Sequence, residues 1–405
     1  MIPIGSTLLS PKSWAPLVLF CLIPFANATA QAKPTDYLNS NDPCSKYSTE
    51  DLRPFFRNPP RQAQISRADK LYSRSIVITA HDHCYSTHDF ADMKAGGITV
   101  RTIKLTADNT YWTEGEMKWQ AGELDFYPSA EAAVLRVKTN NPDVAIMYSR
   151  ADILNAKRTG RLGVIVSFEG GAVATRLDGC LIPPIAPNCM LNVRNLFFKI
   201  GLRDFQPYWS QDNWLKKNDS PIKEWEDATL NPYGERVLQE MVKLGVVIDL
   251  SHMYAKPFQQ AVKAIGKDQP FILSHAGVAR VSLCGPKLAE CSEYKDFEKS
   301  IEAGRTAILD DATIGMVVQH HGVIALNFLE PFVSTKSHLK GDDVTVSDLV
   351  DEIDYIQDHC GIEYVALGPD YIPWTKNFRI VRGLRDMTEI KNVAREMVTR
   401  KRGER

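Results

Sequence analysis

From Ser75 onward, short runs of Val, Ile and Leu recur along the chain, each followed by polar residues and then by a stretch with helical spacing of apolar positions. The runs are SIVITA before His81, ITVRTIKL, GVIVSF before Glu169, LRDFQPY before Trp209, GVVIDLS before His252, PFILS before His275, VIALNF before Leu329 and Glu330, and YVALG before Asp370. Continuous apolar runs, as opposed to strict alternation, mark strands buried on both faces, the habit of a parallel sheet covered by helices. Between them the periodicity predicts helices over Gly234–Leu244, Lys256–Ile265 and Ser347–Cys360, each followed by a glycine, the usual C-terminal stop. Eight strands alternating with helices predict an α/β fold of the (β/α)8 barrel type, in preference to an open doubly wound sheet. The long loops over 108–143, 176–190 and 280–304 are expected to build its rim. No internal repeat or low-complexity segment interrupts the pattern.

In such a barrel the C-terminal ends of the strands converge on one mouth, so residues distant in sequence become neighbours. Nearly every run here ends in a candidate metal ligand or acid. His81 and His83 stand two apart and on an extended strand point to the same side. A single histidine at a strand end is more often structural, but four histidines and Glu169 at four strand ends predict a metal site made by His81, His83, Glu169, His252 and His275. Imidazole and carboxylate without thiolate suit zinc in an open catalytic site, with iron, manganese or cobalt as alternatives. Glu169 could bridge two metals that activate one water between them. Asp370 could take the proton of that water, or equally be a solvated acid or loop cap. His320, His321 and His359 fall at helix ends, where a cation suits the dipole. His338 lies in a polar loop, and His88 is near enough in sequence to support the His81–His83 turn. No P-loop, Gly-x-Ser-x-Gly elbow or His-Glu-x-x-His motif occurs.

Composition narrows the setting. With 405 residues, 44% of them hydrophobic and 24% charged, the chain can bury one large core. Lys and Arg (48) balance Asp and Glu (49), so no general attraction to nucleic acid is expected. Lys12, an apolar run over Ala15–Phe25 and the small-residue pattern Ala28-x-Ala30-x-Ala32 read as a secretory signal peptide over residues 1–32. Residues 33–70 read as a polar, Pro-punctuated N-terminal extension, and 71–405 as the metal-dependent barrel domain. The run near the start is too short to span a bilayer, and the charged C-terminus carries no glycolipid signal, so no stable membrane anchor is expected. A secreted or periplasmic location would permit disulfides, and Cys180/Cys189 and Cys284/Cys291 could each staple a loop. The seven cysteines outside the signal leave at least one unpaired within the chain. Asn218 in Asn-Asp-Ser would be a glycosylation site under eukaryotic secretion, and a homodimer is left open.

The stretches AHDH, VSFEGG, KLGVVIDLSH, ILSHAG and VALGPDY occur in the order and rough spacing of the membrane (renal) dipeptidase family of the amidohydrolase superfamily, which the chain resembles over roughly residues 70–400. The resemblance implies a binuclear zinc barrel that hydrolyses dipeptides or related small amides by metal-activated water. It matches His81, Glu169 (as bridge), His252 and His275 to the family's ligands and Asp370 to its acid/base. Arg305, followed by Asp310 and Asp311, resembles the arginine that holds the substrate carboxylate. Three departures stand out. His83 replaces the family's Asp and removes a negative charge. Trp209 falls where the family has a histidine that contacts the tetrahedral intermediate. The chain also stops at KRGER, so the domain is expected to be short at its C-terminus. These departures keep two rival readings open: a non-catalytic metal-binding barrel, and an amidohydrolase acting on another amide, lactone or ester.

Overall fold

The computed structural model describes residues 55–400 apart from 84–86, 108–109, 114–115, 120–130, 132–133, 136, 140, 175–186, 210–228, 285–305, 335–342 and 372–378. Eight parallel strands follow the eight apolar runs: β1 (Ile78–Thr79), β2 (Val100–Ala107), β3 (Leu162–Glu169), β4 (Leu202–Gln206), β5 (Val247–Ile248), β6 (Ile272–Val278), β7 (Val323–Asn327) and β8 (Val365–Gly368). Neighbours pair in chain order, as in Ile78↔Val100, Val100↔Gly163, Glu169↔Gln206, Asp204↔Val247, Val323↔Ile272 and Ile324↔Val365. A bridge between Asp249 and Ile272 joins β5 to β6. The Ala80 N–H donates to the Leu367 carbonyl at 2.8 Å and closes β8 onto β1. The ring is therefore complete, and every residue of β6, β7 and β8 is buried. Burial on both faces is why these strands read as unbroken apolar runs.

The helices obey the local rules that the sequence signals. They are α1 (Gln62–Arg74), α2 (Thr87–Gly96), α3 (Arg150–Thr159), α4 (Pro232–Leu244), α5 (Ala255–Ile265), α6 (Asp311–Gln319), α7 (Val346–His359) and α8 (Lys391–Thr399), with shorter turns between them. Helix α4 starts with the Asn231 side chain accepting from the Gly234 N–H and ends at Gly245 with φ 79°, a conformation that costs glycine little. Helix α7 opens with a capping box between Thr345 and Asp348. Helix α1, which crosses the expected boundary between the polar extension and the barrel at residue 70, packs on α8 through a bidentate Arg395–Asp69 pair at 2.7 Å. Cys189 and Cys284 are disulfide-bonded; Cys180 and Cys291, the partners expected from sequence, lie outside the described residues, as do residues 1–54, Asn218, His338 and Arg305.

The barrel interior below the mouth is charged. Lys104 on β2 reaches Asp204 on β4 and Asp249 beyond β5, both at 2.7 Å, with Lys104 and Asp249 fully shielded from solvent. Ser167 on β3 also hydrogen-bonds Asp204. Side chains from four neighbouring strands can meet only inside the barrel, so this cluster forms the layer beneath the strand ends.

Candidate metal centre

The five proposed ligands come together at the mouth. His81 and His83 leave β1, Glu169 ends β3, His252 follows β5 and His275 lies on β6. All four imidazoles turn Nε2 toward the Glu169 carboxylate. His252 Nε2 is 3.2 Å and the His81 and His275 Nε2 atoms are each 3.7 Å from Oε1, while His83 Nε2 is 3.2 Å from Oε2. His81 and His83 Nε2 lie 3.2 Å apart, and His252 and His275 Nε2 2.6 Å apart. Two donors on one zinc, each at about 2.1 Å, can be separated by at most about 4.2 Å, and these pairs satisfy that limit. Of three three-residue groups that could each hold an ion, two share the carboxylate, His81/His83/Glu169 and Glu169/His252/His275, and the third is His81/Asp249/His275.

Electrostatics suit the same use. Burial and the neighbouring His275 push the His81 pKa well below its ordinary value, and burial with His252 takes His275 down to about 3. Both imidazoles are thus neutral at physiological pH, the form that ligation needs. At His83 burial also opposes charge, but the hydrogen bond and charge of Glu169 outweigh it and raise the pKa. Burial alone would raise the Glu169 carboxyl; His81, His252 and His83 overcome it and hold Glu169 well below the usual carboxylate range. The donor set, four nitrogens around an ionised carboxylate with no thiolate, fits one or two divalent cations of the zinc class.

Asp370 borders the His81/His83 half, its Oδ1 lying 3.6 Å from both Nε2 atoms. Burial pushes its pKa up to about 7, with His83 pulling against it. Its other oxygen accepts from Asn327 Nδ2 at 3.1 Å, and the Asn327 Oδ1 accepts the Leu329 N–H at 2.8 Å, which fixes the amide the right way round. His252 and Asp370 both have left-handed backbones, φ 66° and 54°. Non-glycine residues adopt that region at a cost and concentrate at functional sites. The His252 side chain is 28% exposed against 0% for His81 and 2% for Glu169, so the centre opens on the His252 side.

Two sequence expectations change. The fourth run does not carry its strand to Trp209: β4 stops at Gln206, because Pro207 has no N–H to continue the ladder. Gln206 is the fully buried side chain that reaches the centre, Nε2 donating to Glu169 Oε1 at 3.0 Å and to the Tyr208 carbonyl at 2.7 Å. Trp209 sits three residues further on, half-buried. In the seventh run the residue facing the site is Asn327, whereas Glu330 opens a short helix and pairs with Arg379 at 2.9 Å. Pairing register, Glu169 opposite Gln206, is the signal that would have found Gln206.

Comparison with known proteins agrees with this architecture. Among solved structures, an amidohydrolase from Pseudomonas aeruginosa is similar with a TM-score of 0.60 at 18% identity, over 82% of this chain and 92% of that one. A metallopeptidase from Rhodobacter sphaeroides, solved with a phosphinate mimic of the dipeptide L-Ala-D-Ala, is similar with a TM-score of 0.56 at 16% identity, over 81% and 93% of the two chains. At these identities the likeness establishes the fold. A curated relative, the dipeptidase tcpJ of Claviceps purpurea (strain 20.1), is 22% identical over 212 residues, 52% of this chain but only 42% of the relative. The model of the membrane dipeptidase family matches residues 75–285 and 298–405. With the strands, the mouth and that match in register, the chain belongs to the membrane dipeptidases, peptidase family M19.

Proposed function

We propose that the protein is an exported metal-dependent hydrolase that cleaves a dipeptide or a related small amide. The observation that carries this reading is the convergence of four imidazole Nε2 atoms on one carboxylate with Asp370 beside them. Two zinc ions, held by His81, His83, Glu169, His252 and His275, would supply an activated water and polarise the amide carbonyl. Asp370, poised near neutrality, takes a proton at Oδ1 and passes it to the leaving nitrogen. Asn327 keeps Asp370 aimed, and Gln206 holds the Glu169 carboxylate from the β4 side. Arg305 is proposed to anchor the substrate carboxylate, and Trp209 to line the approach. Export is supported by the signal-like N-terminus and by the disulfide-bonded Cys189 and Cys284. No helix among the described residues is long and apolar enough to cross a membrane.

One observation favours the rival, a barrel that keeps the centre without turnover. Both amide hydrogens of Gln206 are already engaged, so the donor at this strand end is not free to meet a developing oxyanion. Metal analysis combined with turnover of a dipeptide panel separates the readings. Bound metal with hydrolysis supports the proposal, and bound metal with no hydrolysis supports the rival.

A further inference from the structure

A continuous hydrogen-bond chain runs from the buried charge layer up to the two halves of the centre. It begins at Lys104, whose ammonium sits 2.7 Å from Asp249 Oδ2. Asp249 Oδ1 accepts from the Ser251 hydroxyl at 2.7 Å and from the backbone N–H groups of Ser251 and Ser274, each at 3.1 Å. The Ser251 oxygen in turn accepts the Ser274 N–H at 2.8 Å and lies 3.3 Å from the Ser274 hydroxyl. Ser274 Oγ then meets His81 Nδ1 at 2.8 Å and His275 Nδ1 at 2.9 Å. All of these groups except the Lys104 ammonium and the imidazoles themselves belong to three residues: Asp249, Ser251 and Ser274.

The direction of the lower bonds follows from the Asp249 end. An ionised carboxylate only accepts, so Ser251 must donate its hydroxyl hydrogen downward. The Ser251 oxygen then has only lone pairs left, and it offers the Ser274 hydroxyl hydrogen an acceptor at 3.3 Å. With its single hydrogen given to Ser251, Ser274 Oγ accepts from the two rings above. In that arrangement both His81 and His275 carry hydrogen on Nδ1 and present a bare Nε2 toward Glu169. One of these rings belongs to each of the two groups that share Glu169.

We infer that Asp249, Ser251 and Ser274 form a tautomer lock in which the single Ser274 hydroxyl sets the ligating face of His81 and His275 together, coupling the two halves of the centre. Ser274 is a positioning residue, since it acts through the two imidazoles. Its backbone is itself held in place: a side chain at Gly368 of β8 would run into the Ser274 carbonyl, so β8 packs directly against this part of β6. The inference rests on the metal-centre reading only for its consequence, because the tautomers exist in the metal-free protein.

The test is nitrogen-15 NMR of the side chains of the full-length, metal-free protein at neutral pH, with its nine histidines labelled and His81 and His275 assigned by single substitution. Both rings should show protonated Nδ1 and unprotonated Nε2. In Ser274→Ala that signature should be lost in both rings, and zinc titrated into the same samples should bind about 10–100-fold more weakly at both positions, the usual cost of removing a partner that orients a ligand. A wild-type ring protonated at Nε2 would overturn the lock, as would a Ser274→Ala protein that keeps both tautomers or loses affinity at one position only. Should Ser274→Ala fail to fold, the wild-type spectrum still decides. Wild-type protein with the expected tautomers and no zinc uptake would sink the metal reading while leaving the lock standing.

Discussion

The barrel interior holds two layers of buried polar residues that differ in one respect. In the lower layer Lys104 lies between Asp204 and Asp249, so the two carboxylates share a cation that the protein itself supplies. In the upper layer four imidazole nitrogens surround Glu169, with no lysine or arginine among the described residues there, and two contributors, His252 and Asp370, hold left-handed backbones. The lower layer carries its own cation, buried with its carboxylates, and that makes it structural. The upper layer is arranged for a guest, which is the physical content of calling it a site.

The largest effect expected from this contrast is on stability. Lys104→Met would leave the buried Asp204 and Asp249 without their cation, a change of the kind that costs about 3–5 kcal/mol. Denaturant unfolding should register that loss with or without a chelator. Removing metal with a chelator should lower the melting temperature of the wild type while leaving the Lys104→Met deficit the same size; a deficit that vanishes on chelation would merge the two layers into one.

Asp370→Asn comes next. It should reduce the maximal rate of amide hydrolysis by about 10²-fold or more, within the range for general acid–base groups, while metal content stays as in wild type. Steady-state kinetics beside metal analysis checks both parts, and unchanged turnover would remove Asp370 from the chemistry. Asn327→Leu deletes the donor to Asp370 Oδ2 at 3.1 Å and the acceptor for Leu329 N–H. Its rate should fall by less than that of Asp370→Asn, and its pH–rate profile should shift upward, because a hydrogen bond to the ionised carboxylate lowers its pKa. A profile identical to wild type would show that Asn327 does not tune Asp370.

The smallest effect concerns Glu352 on α7, which is buried and accepts the Val278 N–H at 2.8 Å. Burial pushes its pKa well above the ordinary value, despite the opposing Val278 bond. A carboxyl whose folded pKa is raised contributes stability that is full below the unfolded value, about 4.3, and is lost as pH rises through the folded value. Glu352→Gln keeps an acceptor for Val278 without that titration. Its stability should therefore improve relative to wild type between acid and alkaline pH, as read by urea midpoints across that range. A constant difference at every pH would refute the assignment.

How far the sequence was legible follows the same division. All eight strands were readable because burial on both faces leaves an apolar run, and the five centre residues because each stands at or just beyond such a run. The lower layer was hidden by the same habit, for Lys104 and Asp204 lie inside runs that otherwise read as apolar, and nothing in one strand shows that a partner waits on another. Trp209 reads as the mouth-facing residue in preference to its neighbours Tyr208 and Gln206 because the run continues through Pro207, whereas the ladder ends where the proline removes a donor. Asn327 draws no notice in sequence because it lies within the seventh run, before the polar residues that follow it. The first part of helix α1 reads as polar extension since only Ala68 and Tyr72 of the whole helix are buried. Ser274 appears in sequence merely as the residue before His275, and its two-ring contact exists only once β1 and β6 are neighbours across the interior.

The claim on which the rest depends is that the upper layer is completed by metal through Glu169. The most direct measurement is the metal content of protein purified without chelators, together with that of Glu169→Ala. About two divalent ions per wild-type chain, as expected for a pair sharing a bridging carboxylate, and fewer than one in the variant would bear the claim out. A wild type that holds no metal and takes up none when zinc is added, or a Glu169→Ala protein that binds as much as wild type, would contradict it.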